Sequence, residues 1–459
     1  MFIWKMSTSI FKNKQIDSLL QIITYTFCPH RFYGSSKVLR YICKNGTPLH
    51  GVIMERIMKT TSIVHIIAFA LLAAFTSCNT THSSIWEEMP VVAHVETLDG
   101  EPLTVCHFDQ LKDTVHIPLS ELVEDLHIVK LDNREEAMVN IADVSLSENY
   151  ILIAGFRSPC KLFRKDGTYV GKIGEYGSAV GEYKYVYDAQ IDEKNGQIYL
   201  LPVDGRGILV YRFDGTFQKA IPLHAKYPRL YAPKGIFQVD AENNRIAVVS
   251  LPFRNLPHVA WVQDMDGNRM QEIPIAHLKL EPNYSNEVRS SEATDGLSFH
   301  ISPFFELRQD SLYHWDMHQQ KLIPRFTIDF GEKPVPLHVY YELPLYYFAE
   351  ISGTKQMTED SYVSDRERYF MVDKATLRGS FCHIYNDYLC DEPSDLVIGR
   401  NGYFIENVAP DVLKERIETF LQASPDLNEA RRQRLLALKD SISENDNNYI
   451  IYGKHRTAK

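Results

Sequence analysis

Three Asp-Gly pairs, Asp166-Gly167, Asp214-Gly215 and Asp266-Gly267, stand 48 and 52 residues apart. Each lies between two alternating apolar runs. Asp-Gly in that setting signals a tight hairpin, because a type I′ turn needs positive φ at both central positions. The surrounding units, residues 148–174, 195–223 and 243–275, share one order. A short apolar strand is followed by a loop, a second strand, the Asp-Gly turn and a third strand. A further strand candidate precedes each unit: "IADVSL", "VYDAQID" and "GIFQVDA". Four strands in about 50 residues is the pattern of a propeller blade. Such a sheet cannot bury both of its faces alone, so neighbouring blades must cover them.

Later units keep the order with weaker punctuation. Residues 301–331 place His318-Gln319 where Asp-Gly stood, residues 359–389 give a fifth unit, and residues 395–409 begin a sixth. Two helical stretches then interrupt the pattern. One has apolar residues at 413, 417, 420 and 421; the other at 427, 435, 436, 438 and 442, after a Ser424-Pro425-Asp426 start signal. The chain closes on the strand "NNYIIYGK". A closed ring must join its first and last blades or leave an unpaired edge. Tyr449–Tyr452 is therefore expected to complete a sixth blade with N-terminal sequence from about Val115–Leu131. The expected fold class is all-β: a six-bladed β-propeller with a C-terminal helical insertion before the closing strand. The 26 Tyr and 23 Phe suit a strand-rich chain.

The front of the chain reads differently. Residues 1–77 hold nine Lys/Arg and two acids, Asp17 and Glu55, while the remainder carries 40 basic and 57 acidic residues. An acidic body argues against a nucleic-acid partner, since phosphate binding needs a basic surface. Arg56 and Lys59, the apolar run Ile63 to Phe75, and Thr76-Ser77-Cys78 are the parts of a secretory signal. The run is shorter than the ~20 apolar residues of a membrane span. Cys78 stands where the cut would fall, as in a bacterial lipobox, so lipid attachment at Cys78 is expected; an ordinary signal peptide with a chance cysteine is the other reading. A signal this far inside implies that translation begins at Met58 or Met54, against a genuine N-terminal extension. The expected organisation is a misassigned extension at 1–57, a signal at 58–77, a tether and lead-in at 78–112, and the propeller at 113–459 with helices near 411–443. Of the other mature cysteines, Cys382 and Cys390 flank "HIYNDYL". A disulfide there suits an oxidising compartment, but no cross-strand register fixes it.

Several stretches together resemble the six-bladed β-propeller lipoproteins of Bacteroidetes, relatives in shape of NHL-repeat propellers. They are "IPLSELVEDLHIVKLD", "GKIGEYGSAVGEY", "DSLYHWD" with "PRFTIDFG", and "ENDNNYIIYGK", within residues 113–453. Family members usually carry Gly-Gln-Gly-Pro-Gly-Glu-Tyr in the second stretch. Gly177, Gly181, Glu182 and Tyr183 match it, whereas Ala179 and Val180 depart from it. The resemblance implies the fold and a cell-envelope address. It implies no reaction, because the family mostly lacks assigned activities.

Motifs for chemistry are sparse. No Gly-x-Ser-x-Gly elbow, His-Glu-x-x-His or P-loop occurs. "GEYGSAVGEY" lacks the Lys and Ser/Thr of a phosphate loop, and Glu175 and Glu182 would repel phosphate. The glycines are expected to carry the chain between blades, with Tyr183 packing at the bend. His314, Asp316 and His318 would share one strand face and are reasonable zinc or iron ligands, but neighbours on a face lie about 7 Å apart at the backbone, so all three could not easily reach one ion. No metal and no cofactor is expected. The runs Tyr340-Tyr341 and Leu345-Tyr346-Tyr347-Phe348 could stack sugars or simply pack in blade five. "ARRQR" at 430–434 reads as a solvated helix face. The expected function is non-catalytic: an envelope lipoprotein binding an unidentified ligand or protein partner over its central channel. The alternative is a propeller-based hydrolase or lyase with its active site at that channel. Outer-membrane anchoring is expected. Some members of the resembled family reach the cell surface with acidic residues just after the cysteine; none follows Cys78 here until Glu87, so the resemblance favours the periplasmic face and leaves the cell surface open.

Overall fold

The computed structural model describes residues 85–457, apart from 141, 156, 204, 225–233, 253–259, 274–277, 282–285, 292–296, 317–320, 359–360 and 395–401. Contacts divide the chain into Met1–His82 and Ser83–Lys459, and the described residues all belong to the second unit. Cys78 and His318 lie outside the described residues.

Blade one comprises Ala142–Leu146, Tyr150–Gly155, Cys160–Arg164 and Tyr169–Ile173, paired in that order. Blade two runs from Val186 to Ile221 and blade three from Gly235 to Ile273, each with four antiparallel strands. Their second strands are nearly all buried, as at Ile151, Leu152 and Ile153 or Ile246 to Ser250, because neighbouring blades cover both faces. Outer strands such as Tyr169–Ile173 alternate with solvent. Six apolar clusters lie in the six gaps between successive blades, so the ring is closed: a six-bladed β-propeller.

The Asp-Gly turns have a geometry other than the expected type I′. Only the glycines take positive φ: +89° at Gly167, +81° at Gly215 and +86° at Gly267. In blade one, Gly167 N–H donates to Arg164 C=O and Arg164 N–H to Thr168 C=O, both at 2.9 Å. The Asp166 carboxylate accepts from Thr168 N–H. This is a three-residue loop with a glycine bulge, and the register shifts beside it. Packing adds a second demand for glycine. A Cβ on Gly215 would stand 2.2 Å from the Lys172 carbonyl oxygen of blade one, and one on Gly167 would stand 2.1 Å from the Lys130 carbonyl oxygen. Each turn is thus also a contact with the preceding blade.

Blades four to six are composite. Blade four comprises Glu287–Ser290, Leu297–Ser302, Ser311–Asp316 and Lys321–Asp329, and blade five Leu337–Glu342, Tyr346–Thr358, Ser361–Asp373 and Gly379–Tyr385. Four N-terminal strands complete the half-ring: β1 (Ala93–Leu98), β2 (Glu101–His107), β3 (Thr114–Pro118) and β4 (Val123–Lys130). Strand β2 pairs in parallel with Lys321–Asp329, and β1 follows it, giving blade four six strands. Strand β3 pairs in parallel with Gly379–Tyr385, giving blade five a fifth strand. A four-residue helix α1 (Leu119–Leu122) turns the chain into β4.

Blade six is Tyr403–Val408, the closing strand Tyr449–His455 and β4. Closure by Tyr449–Tyr452 therefore occurs as expected, but with Val123–Lys130 alone. Val115 serves blade five instead. The stretch read as tether and lead-in holds β1 and β2 from Ala93 onward.

Asn447 locks the closure. Its side chain accepts from Val139 N–H and donates to Asp132 C=O and Ala137 C=O at 2.8–2.9 Å, while it is fully buried. Helix α2 (Pro410–Ala423) buries Leu413 and Ile417, and helix α3 (Glu429–Ser441) buries Leu435. The expected Ser424-Pro425-Asp426 start is not the cap. Asn428 caps α3 instead, accepting from Ala430 and Arg431 N–H. The "ARRQR" cluster is also not simply solvated. Arg431 pairs with Asp391 at 2.8 Å and lies over the Phe420 ring, and Arg432 donates to Ser424 and Pro425 carbonyls.

Candidate functional site at the channel end

The first strand of each blade borders the central channel. These inner edges have no further strand to pair with, so side chains take over the backbone groups. Asp188 accepts from Phe237 N–H and Gln190 from Val239 N–H, clamping blade two to blade three at 2.9 and 2.8 Å.

Charged and phenolic groups from five blades meet near the channel end where the inner strands of blades four and five begin. Tyr187 of blade two donates to Glu287 Oε2 of blade four at 2.5 Å and accepts from Val288 N–H. Lys234, leading into blade three, pairs with the other Glu287 oxygen and donates to Asn286 C=O at 3.2 Å. Arg289 is open to solvent, and Asp143 of blade one and Tyr341 and Glu350 of blade five lie within its electrostatic reach. Glu287, Arg289, Tyr341, Glu350, Ser302 and Ser352 help line a cavity of about 160 Å³. An apolar cavity of ~150 Å³ holds one benzene ring, so this volume suits a ligand of ring size.

The channel walls shift the titrations. Desolvation raises the Asp143 carboxyl, and Arg289 only partly offsets it. Burial pushes the Tyr341 phenol up to about 12 and raises Tyr187, where Glu287 adds to the effect. Tyr341 and Tyr187 are therefore neutral hydrogen-bonding groups at neutral pH. Arg289 supplies fixed positive charge, and Glu287 is already engaged by Tyr187 and Lys234.

The candidates read from sequence fall elsewhere or apart. Of the blade-five aromatics, Tyr340, Tyr346, Tyr347 and Phe348 are buried, with Tyr346 stacked on Trp86 and Tyr347 on Phe326. They are core rather than a sugar platform, and of that run only Tyr341 helps line the cavity. His314 is bonded to Glu342, which Lys374 also reaches at 2.6 Å. Burial alone would raise the Glu342 carboxyl, but His314 and Lys374 outweigh it and hold it at about 2. His314 is thus part of an ion cluster between blades four and five. Among the described residues, no three His, Cys, Asp or Glu side chains form a metal-binding group. Cys382 and Cys390 are separate buried thiols, so the disulfide considered from sequence is absent.

"GEYGSAVGEY" crosses from the outer strand of blade one to the inner strand of blade two. Tyr183 is buried at the bend; its hydroxyl accepts from Cys160 N–H at 2.7 Å and donates to Ile173 C=O. Glu182 accepts from Ala179 N–H within the loop. The stretch is a blade crossing closed by its own side chains. Sequence reasoning missed Tyr187, Lys234, Glu287 and Arg289, which carry no local motif.

The fold and this axial cluster define a six-bladed propeller with a polar site at one channel end. The chain belongs to the family called Domain of unknown function (DUF4934), whose model matches residues 103–454. A Bacteroides fragilis NCTC 9343 protein predicted to be exported is similar in fold, with TM-score 0.50 and 15% identity over 76% of this chain and 100% of that one. A member of the DUF4221 family from Bacteroides vulgatus ATCC 8482 gives TM-score 0.39 and 10% identity, covering 73% and 98% of the two chains. No curated protein matches the chain. Among the described residues, no helix is long and apolar enough to cross a membrane.

Proposed function

We propose that this protein is a cell-envelope lipoprotein, anchored through lipid on Cys78 to the outer membrane, whose propeller binds a small polar ligand non-catalytically. The periplasmic side is the proposed face. The convergence of Glu287, Arg289, Tyr341 and Glu350 on one ring-sized cavity, with Tyr187 bonded to Glu287, carries the ligand reading. Neutral phenols, one arginine and the lining carboxylates Glu287 and Glu350 suit a ligand that offers hydroxyls or amides, such as a neutral sugar or a peptide backbone. The anchor rests on the signal-like sequence ending at Cys78 and on the polar "NTTHSS" after it.

A thermal-shift screen of glycans and peptides tests the site. A ligand that stabilises the native chain and loses its effect in Arg289→Gln supports it; ligands that act equally on both chains would sink it. Metabolic labelling with a fatty acid tests the anchor, since Cys78→Ala should lose the label.

The second reading is catalytic, and Asp143 favours it. Desolvation raises its carboxyl from the ordinary value, which is the direction a general acid needs. Turnover of a glycoside or polyuronate substrate that vanishes in Asp143→Asn would select this reading.

A further inference from the structure

A second cleft lies beside the channel site, between the crossover from blade four to blade five and the long hairpin of blade five. Its volume is about 610 Å³, within the usual ~300–1,000 Å³ of small-molecule sites. Phe108, Phe330, Pro336 and Ile351 make apolar walls, and Lys333 and Arg368 bring two positive charges. Lys333 Nζ lies 5.6 Å from the centre of the Phe108 ring, and Arg368 Cζ lies 5.9 Å from the same centre and 4.6 Å from that of Phe381.

None of the described lining residues is acidic. Neither cation makes an ion pair among the described residues, although Arg416, Arg431 and Lys374 on the same propeller are each paired with a carboxylate. Two unneutralised cations thus face one apolar cleft on a body with excess acid. A guanidinium stacked on rings keeps its N–H edge free, and that edge matches a carboxylate.

We propose that this cleft binds an amphipathic organic anion: a carboxylate on an aryl or branched-alkyl body. The carboxylate sits between Lys333 and Arg368, and the apolar body lies against Phe108, Phe330 and Ile351. Phe108 comes from the N-terminal segment after β2, so the cleft exists only where that segment reinforces blades four and five. The site is separate from the proposed channel ligand, although Ser352 borders both cavities.

Calorimetric titration of the full chain in detergent with 3-phenylpropionate, 3-phenylpropionamide and acetate tests the assignment. The acid should bind at least about tenfold more tightly than its amide, with acetate weaker still, and salt should weaken the acid. Lys333→Gln and Arg368→Gln should each weaken the acid about fivefold or more, while Arg289→Gln leaves it unchanged. Lys333 is exposed, so its variant keeps the test valid even if Arg368→Gln disturbs the Phe381 packing. Equal binding of acid and amide, or an affinity weaker than about 1 mM for both, overturns the proposal. Loss of binding in Arg289→Gln would place the anion in the channel and equally overturn it. A peptide ending in Phe that binds far more tightly than the small acid would replace it with peptide recognition.

Discussion

Blades one to three and blades four to six solve the same packing problem by different means. The first three are each made from one continuous run of 32 to 39 residues, with an Asp-Gly turn seated on the preceding blade. The last three borrow strands from the N-terminal segment, which visits blade four, then five, then six. The regular half uses local hairpins and apolar second strands. The composite half holds the Glu342 ion cluster, the closure at Asn447 and the Lys333–Arg368 cleft. Repetition thus fills one half of the ring economically, and departures from it create polar and concave features in the other.

The closing strand offers the largest way to break this contrast. Deleting residues 447–459 removes the partner of both β4 and Tyr403–Val408 and opens the ring. The melting temperature should fall by more than about 10 °C, read by calorimetry. An unchanged melting curve would contradict closure. Hydrogen exchange on the same variant should rise first in blade six and the flanks of blades five and one, leaving blades two and three protected longest.

Glu342→Gln probes the composite half by itself. It removes the charge that His314 and Lys374 share, and should cost about 2–3 kcal/mol in urea unfolding. The cost stays below the ~3–5 kcal/mol of breaking a fully buried pair because His314 and Lys374 keep 22% and 21% of their side-chain surface. Gly215→Ala probes the regular half. Positive φ and the 2.2 Å approach to the Lys172 carbonyl should together cost at least about 2 kcal/mol. An alanine tolerated at 215 would mean that the turn does not press on the Lys172 carbonyl of blade one.

Acid should also weaken the composite half first. His300 and His338, at the interface of blades four and five, and His455 in the closing strand are buried neutral, with desolvation holding His338 and His455 at about 4. The unfolded chain takes up those protons from about pH 6.5 downward. Stability is therefore complete above pH 6.5 and falls toward pH 4. Below about 4.5, the unfolded carboxyls of Glu342 and Asp446 also gain protons that the native ones, both held at about 2, refuse. A pH series of urea midpoints should fall in both windows. The smallest effect is expected from Arg431→Ala, about 1 kcal/mol, since its Asp391 partner is exposed.

The residues that announce a blade are neighbours in the chain. An apolar run covered on both faces, an Asp-Gly turn and a strand just beyond it are all written within one hairpin, so the repeat, the blade count and the closing strand are legible in the sequence. Tyr183 was legible too, as an aromatic at a glycine-rich bend. Only the glycine-bulge form of the turns escaped, because Asp-Gly serves both turn types and the choice follows from strand register.

The rest depends on partners far apart in sequence. Which blade receives β1, β2 and β3 is decided by which sheet edge is free when the ring closes, and free edges look alike in a one-dimensional pattern. Arg289 and Asp143, or Glu342 and its partners His314 and Lys374, come together through blade packing across tens to more than a hundred positions. Short-range periodicity determined the propeller. The channel site, the ion cluster and the cationic cleft were decided only in three dimensions, because burial and charge pairing act between surfaces that the chain itself never places side by side.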